Sequence, residues 1–323
     1  MELFSRIHPF VERHDLVPKQ GTIIVGFSGG PDSTFLVHYF LALREMREFT
    51  LILAHFNHGW RVTADHDEQF CQEMSERYNL PFITKRAADF IAQVPWTGSR
   101  EEQARLMRRM FFESVATHYD QARVALAHHQ DDQDETFFIR LMRGAGLQGL
   151  RGMTPRAGLY IRPLLCVRKE EITTYLAERH IPFTIDSTND DDVYLRNRIR
   201  HRVLPALRQC DARFSASLRQ ALSNLAEADD FCSTLAEHTL QQIAIETEGT
   251  QWLDLSAFFR LHPFLQKQLL VKWLCSAKVP FTPSQGLFNE IMRFLRQPQG
   301  GKHHVSPAWY LHKQQQRVGV MHR

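Results

Sequence analysis

Residues 21–33 read GTIIVGFSGGPDS, and the fold follows from this stretch. Gly21 to Phe27 is short, β-branched and apolar through its centre, the pattern of a strand buried on both faces. It runs directly into Ser28-Gly29-Gly30-Pro31-Asp32-Ser33. From Ser33 to about Arg44, residues Phe35, Leu36, Tyr39, Phe40 and Leu43 form an apolar stripe at helical spacing. Strand, glycine turn and helix in this order put the turn at the carboxyl end of a strand, where open α/β sheets bind ligands. The first turn of the helix offers unpaired N–H groups to a phosphate. Gly29 and Gly30 are both expected to take positive φ and to let the backbone approach an anion, with Ser28 and Ser33 as hydroxyl donors. Asp32 would repel a bare phosphate, and it makes sense if a magnesium ion bridges it to the ligand. A tight βα turn whose glycines serve geometry alone is the plainer alternative.

The same alternation continues on the C-terminal side. LILAHF (51–56), PFITK (81–85), RVALAHH (123–129) and YIRPLL (160–165) read as further strands. Helical patterns fill 65–78, 99–119, about 132–144 and 168–180, and Ser99-Arg100-Glu101-Glu102 has capping-box form. Repeated strand–helix units of this length predict an α/β domain over 1–210, a parallel sheet with helices on both faces. Beyond residue 211 the strand patterns stop. Helices are expected over 212–245, 256–276 and 284–296, so 211–323 is predicted to be a smaller, mostly helical domain.

Composition narrows the class. The chain has 323 residues, 43% hydrophobic and 23% charged, which suits a folded protein with a sizeable core. No window nears the ~18 to 20 apolar residues of a membrane span, and the polar N-terminus does not read as a secretory signal. Both point to the cytoplasm. The five cysteines, Cys71, Cys166, Cys210, Cys232 and Cys275, contain no C-x-x-C pair, so zinc-ribbon, iron–sulfur and redox-dithiol readings lose their usual spacing. A net charge of +3 says little, but its distribution says more. Arg196, Arg198, Arg200, Arg202 and Arg208 crowd an acid-free run, and a second acid-free run from Ile291 carries Arg293, Arg296, Lys302, Lys313, Arg317 and Arg323. Such runs suit RNA phosphates, and a solvated face would look the same.

The order Ser28-Gly29-Gly30-Pro31-Asp32-Ser33 after a buried strand resembles the PP-loop of the N-type ATP pyrophosphatases, which cleave ATP between the α- and β-phosphates. The Walker pattern G-x-x-x-x-G-K-[ST] is absent. Other segments resemble one branch, the tRNA(Ile)-lysidine synthase family. They are His55-Phe56-Asn57-His58-Gly59-Trp60-Arg61, Glu102-Gln103-Ala104-Arg105-Leu106-Met107-Arg108, and His128-His129-Gln130-Asp131-Asp132-Gln133-Asp134-Glu135-Thr136. Arg143-Gly144-Ala145-Gly146, Gly149-Leu150-Arg151-Gly152-Met153, Arg162-Pro163-Leu164-Leu165, Asp186-Ser187-Thr188-Asn189 and Arg196-Asn197-Arg198-Ile199-Arg200 follow in family order. Arg109 stands where the family commonly has tyrosine.

The resemblance implies an adenine nucleotide alpha hydrolase-like fold and an ATP-dependent carbon–nitrogen ligase acting on tRNA. Cytosine O2 of the wobble cytidine would attack the α-phosphate of ATP, and the ε-amine of free L-lysine would then displace AMP. It further implies ATP contacts at Ser28, Gly29, Gly30, Pro31, Asp32, Ser33, His55, Asn57 and His128, and Mg2+ at Asp32 and Asp132. Asp132 and Glu135, spaced i, i+3, would hold the lysine, with Asp132 as candidate general base; acids complementing a helix N-terminus are the plainer reading. Arg105 and Arg108 are candidates to stabilise the transferring phosphate, or form a solvated helix face. Arg196, Arg198 and Arg200 are candidate tRNA or phosphate contacts. The histidines His55, His58, His128 and His129 fit hydrogen bonding around a nucleotide better than catalytic zinc, for want of further ligand spacing. The implied partners are tRNA(Ile) with a CAU anticodon, docked by the helical domain, and L-lysine, with no membrane and no obligate protein partner. The alternatives are a PP-loop tRNA thiolase, which would want paired cysteines, and a catalytically silent tRNA-binding protein.

Overall fold

In the computed structural model, which describes residues 2–60, 63–90, 100–184, 194–247 and 250–323, β1 (Thr22–Gly26) lies at the middle of a six-stranded sheet. It follows an N-terminal helix absent from the sequence expectations, α1 (Glu2–Arg13), and leads into α2 (Pro31–Arg44). Then come β2 (Thr50–Asn57), α3 (Ala64–Arg77), β3 (Phe82–Arg86), α4 (Arg100–Ala116), β4 (Arg123–Ala125) and α5 (Gln130–Met142). A short helix α6 (Leu147–Leu150), the hairpin β5 (Arg156–Ala157) and β6 (Tyr160–Ile161), and α7 (Lys169–Glu178) follow. The strand order is β3-β2-β1-β4-β6-β5, parallel except for β5, which pairs antiparallel with β6 at the edge.

The period-2 alternation of β1 explains why both faces are covered. Ile23 and Val25 point into one core with Phe35, Leu36 and Phe40 of α2, Ile7 and Val11 of α1, and Ile172 and Leu176 of α7. Ile24 points the other way, to Ala54, Val124, and Phe111 and Phe112 of α4. Full burial of a ring such as Phe35 or Phe111 contributes about 2–3 kcal/mol each. The strand expected over 160–165 is shorter than its apolar run. Pro163 has no N–H to give a ladder, and it opens a 3₁₀ turn, Pro163–Cys166, instead.

After α7, helix α8 (Leu195–Arg198) continues through a π-helical turn, Ile199–Val203, into α9 (Leu204–Cys210). Arg61, Ser99 of the expected capping box, and the Asp186-Ser187-Thr188-Asn189 segment lie outside the described residues.

Two compact units divide at Leu222/Ser223, inside the long helix α10 (Phe214–Ile243). The second unit has the expected helices, α12 (Pro263–Ser276) and α13 (Gln285–Arg296) with a short α11 (Leu255–Phe258) before them. The strands, however, do not stop at residue 211. The strands β7 (Ala244–Thr247), β8 (Thr250–Asp254), β9 (Gly301–Ser306), β10 (Trp309–Gln314) and β11 (Arg317–His322) form an antiparallel sheet in the order β7-β8-β11-β10-β9. GKHHVS, WYLHKQ and RVGVMH lack a run of β-branched residues, so they read as loop; cross-strand pairing makes them strands. Lys313, placed by sequence in a basic run, is buried at 6% exposure. Its ammonium donates to the carbonyls of Leu295 and Gln297, closing the carboxyl end of α13 rather than facing a ligand.

Candidate active site

The turn between β1 and α2 is a compact loop with one position in the left-handed region. Gly29 has φ +79, and a Cβ there would meet Phe70, Thr184 and Cys71 at 3.0 to 3.2 Å. Gly30 departs from expectation: its φ of −71 and ψ of 167 are extended, open to any residue. What glycine provides at that position is space, because a Cβ would meet only Ser28 Oγ, at 3.5 Å. That side of the loop is where an anion could approach the first turn of α2. Ser33 is buried and knits the loop, donating to the Gly30 carbonyl at 3.0 Å and accepting from the Ser28 N–H at 3.2 Å. Ser28 is exposed. Its hydroxyl meets Ser33 Oγ at 3.1 Å and accepts from the Gly30 N–H at 3.4 Å, so both serines brace the loop and Ser28 is the one that also reaches solvent.

At the end of β2, His55 Nδ1 donates to the Phe27 carbonyl at 2.9 Å. Burial lowers its pKa, so the ring is neutral and Nε2 remains an acceptor beside the loop. Asn57 is committed elsewhere. Its amide donates to Glu68 at 2.7 Å, and its oxygen accepts from the Gly59 N–H at 2.8 Å. Both ends are spent within the β2–α3 connection, so Asn57 holds that connection rather than offering a direct nucleotide contact.

Beyond β4, the start of α5 concentrates the carboxylates. The buried His129 ring joins them to the loop: Nε2 lies 3.7 Å from Asp32 and 3.6 Å from Asp132, and Nδ1 lies 3.7 Å from Asp131. Burial pushes this imidazole down, but the Asp32, Asp132 and Asp131 carboxylates outweigh it and hold the pKa above the ordinary histidine value. Asp132 also accepts from the His129 N–H at 3.0 Å. Burial would raise its carboxyl; His129, His128 and Arg196 more than reverse that and keep it below the usual range. Asp32 Oδ1 is buried without a hydrogen-bond partner, and Lys169 Nζ lies 3.6 Å from Asp32 Oδ2.

Glu135 is fully buried. Its two oxygens accept from Arg196 Nε and Arg200 Nε, each at 2.6 Å, and Arg196 reaches Asp132 at 3.2 Å. The arginine trio therefore splits by helical geometry. Arg196 and Arg200, four apart, turn inward onto the carboxylates expected to hold lysine, while Arg198 is exposed. Asp131 and Asp134 are held by Arg168 at 3.0 and 3.2 Å and by Arg208 at 3.1 and 3.7 Å.

His128 lies beside Arg108 and Arg162. Burial, joined by the charges of Arg162, Arg108 and Arg196 and only partly offset by Asp132, lowers its pKa to about 4. It is a neutral ring at physiological pH. Sequence reasoning missed His129 as the bridge and Lys169 as a cation at Asp32. The doubled histidine was visible, but nothing in it told which ring faces the loop, and Lys169 follows a 3₁₀ turn with no motif of its own.

A parallel sheet with a glycine turn at the carboxyl end of its central strand, and carboxylates converging on that turn, defines an ATP-binding α/β protein of the PP-loop class. The chain belongs to the PP-loop domain family, whose model matches residues 3–207. It is 37% identical to the tRNA(Ile)-lysidine synthase of Geobacter sulfurreducens over 76% of this chain and 53% of that protein. It is 32% identical to the tRNA(Ile)-lysidine synthase of Bacillus thuringiensis subsp. konkukian over 91% of this chain and 64% of that one. The chain thus spans between about half and two thirds of the length of these relatives. Among solved structures, the U34-tRNA thiolase NcsA of Methanococcus maripaludis, with its [4Fe-4S] cluster, shares the fold. The TM-score is 0.58 at 15% identity, covering 70% of this chain and 79% of that one.

Proposed function

We propose that the chain is a tRNA(Ile)-lysidine synthase, joining free L-lysine to the wobble cytidine of tRNA(Ile) at the expense of ATP. The observation that supports this is that one buried His129 nitrogen lies 3.7 Å from Asp32, on the loop after β1, and 3.6 Å from Asp132, at the start of α5. The relatives' names supply the substrates.

In the first step cytosine O2 attacks the α-phosphate and pyrophosphate leaves. The Gly30 side of the loop, Ser28 and the N–H groups of α2 bind the phosphates, and Lys169 adds positive charge beside Asp32. The orphaned Asp32 Oδ1 fits a magnesium ion, with Asp132 as its second carboxylate. Among the described residues no group of three or more side chains could hold a metal, but magnesium commonly uses one or two carboxylates with phosphates and water. Bound there, it would neutralise charge on the phosphates.

In the second step the lysine ε-amine attacks cytosine C2 and AMP leaves. Glu135 and Asp132 already hold guanidinium groups at 2.6 and 3.2 Å, so the pocket is built for a cation. An ammonium ion would take the place of one of them. Free lysine titrates near ~10.4, so a proton must go before attack, and Asp132 is the group placed to accept it. Its depressed pKa makes it a weak base, and the rate is expected to climb with pH as the amine itself deprotonates.

The test is incubation with ATP, labelled lysine and a tRNA(Ile) transcript bearing C34. Incorporation is expected, falling at least about 100-fold in Asp32→Ala and Asp132→Ala. Incorporation that survives either change would refute the site. Sulfur transfer in place of lysine would refute the function.

A further inference from the structure

We propose that Arg105, Arg108, Arg140 and Arg162 form one anion site for phosphate groups, and that its occupant is the RNA backbone beside the target base. This rests on the function proposed above and adds to it a grip on the nucleic acid, with two residues, Arg140 and Arg162, that carry no assigned role.

The positions converge through the fold. Arg105 and Arg108 are i, i+3 on α4, which packs over β4. Arg162 follows β6, the neighbour of β4, and Arg140 lies on α5, which continues from β4. Their hydrogen bonds go to backbone oxygens only. Arg140 donates to the carbonyls of Gly149 at 2.7 Å and Gly152 at 2.9 Å, and Arg162 donates to that of Thr154 at 2.9 Å. Arg162 Nε is buried without a partner. Among the described residues no carboxylate forms an ion pair with any of these arginines. Arg108 is open to solvent, yet enough protein surrounds it that burial leads the causes lowering its pKa, as for a group lining a recess. The charge of Arg105 comes next at Arg108, Arg140 and Arg162 alike. Like charges gathered without an internal counterion call for an external one, and guanidinium forks match phosphate oxygens.

The backbone at His129 favours the phosphates of RNA over those of ATP. It is extended, with φ −118 and ψ −179, so successive side chains point to opposite sides. His129 faces the Asp32 loop, whereas His128, on the opposite side, lies within the fields of Asp132, Arg162 and Arg108. Arg108 and Arg162 thus act on the ring that points away from the one meeting Asp32.

The experiment measures binding of the tRNA(Ile) transcript across a salt series, and binding of ATP by calorimetry, for wild type, Arg162→Gln and Arg105→Gln. Each substitution is expected to weaken tRNA binding about tenfold and to flatten the log–log salt slope by about 1, with ATP affinity within twofold of wild type. A loss of ATP affinity with an unchanged tRNA slope would keep the phosphate chemistry and assign it to the triphosphate. Wild-type values for both ligands would overturn the site. Arg105 is exposed and makes no hydrogen bond among the described residues, so its variant folds even if Arg162→Gln does not. Lysine incorporation by the wild-type chain separates failure of the enzyme reading from failure of this one.

Discussion

Two regions meet at the end of β4 and treat charge in opposite ways. On the acid side every carboxylate from Asp131 to Glu135 has a cationic or N–H partner within the chain, and Glu135 has two arginines. On the basic side Arg140 and Arg162 donate to carbonyls, and among the described residues Arg105 and Arg108 pair with no carboxylate. The acid side satisfies its charges within the chain, and the basic side does not. The adjacent rings of His128 and His129 record the contrast: burial, helped by Arg162 and Arg108, depresses one pKa, and the carboxylates raise the other against the same burial.

The largest expected effect comes from breaking the acid side. Glu135→Ala leaves Arg196 and Arg200 without their shared carboxylate, and unfolding in urea should show a loss of about 3 kcal/mol. The guanidinium groups are partly exposed, which argues for the lower end of the usual range. A loss below about 1 kcal/mol would mean that the triad does not tie α8 to α5.

Next in size is an acid-dependent loss at His128. Its folded pKa, about 4, lies below the unfolded value near ~6.5, so the unfolded chain binds the extra proton between them. Stability carried by the neutral ring is complete above ~6.5 and drains as pH falls towards 4, by about 2–3 kcal/mol. His129 has the opposite sign: its contribution is full below ~6.5 and disappears as pH rises through its raised folded pKa. Histidine NMR titration would read both at once, and two rings titrating together would erase the contrast between the regions.

The smallest effect should come from Arg105→Gln. Removing one of several mutually repelling charges that lacks an internal partner should leave stability within about 0.5 kcal/mol of wild type, with any change upward. A clear loss would show that Arg105 serves the fold rather than a ligand.

Much of the first unit was legible in the chain because its signals are local. An apolar run, a glycine turn and a helical stripe each need only neighbouring residues, and GTIIVGFSGGPDS contains all three. The second unit was legible only in its helices. WYLHKQ becomes a strand because β9 and β11 lie on either side of it, and neither pairing can be read from the segment itself. Gly30 shows the same limit on a smaller scale: its place in the motif was plain, but whether it served φ or space depended on Ser28 and α2.

Sequence alone determined that a glycine-rich turn follows a buried strand, and that acids and histidines stand at the end of another, since periodicity and residue type are properties of the chain. Only the tertiary structure decided how charges combine. It set Arg196 and Arg200 on Glu135, put Lys169 against Asp32, turned Lys313 onto the end of α13, and left four arginines without an ion pair among the described residues. Those outcomes depend on distances between residues far apart in sequence, and electrostatic energy follows distance and burial rather than order along the chain.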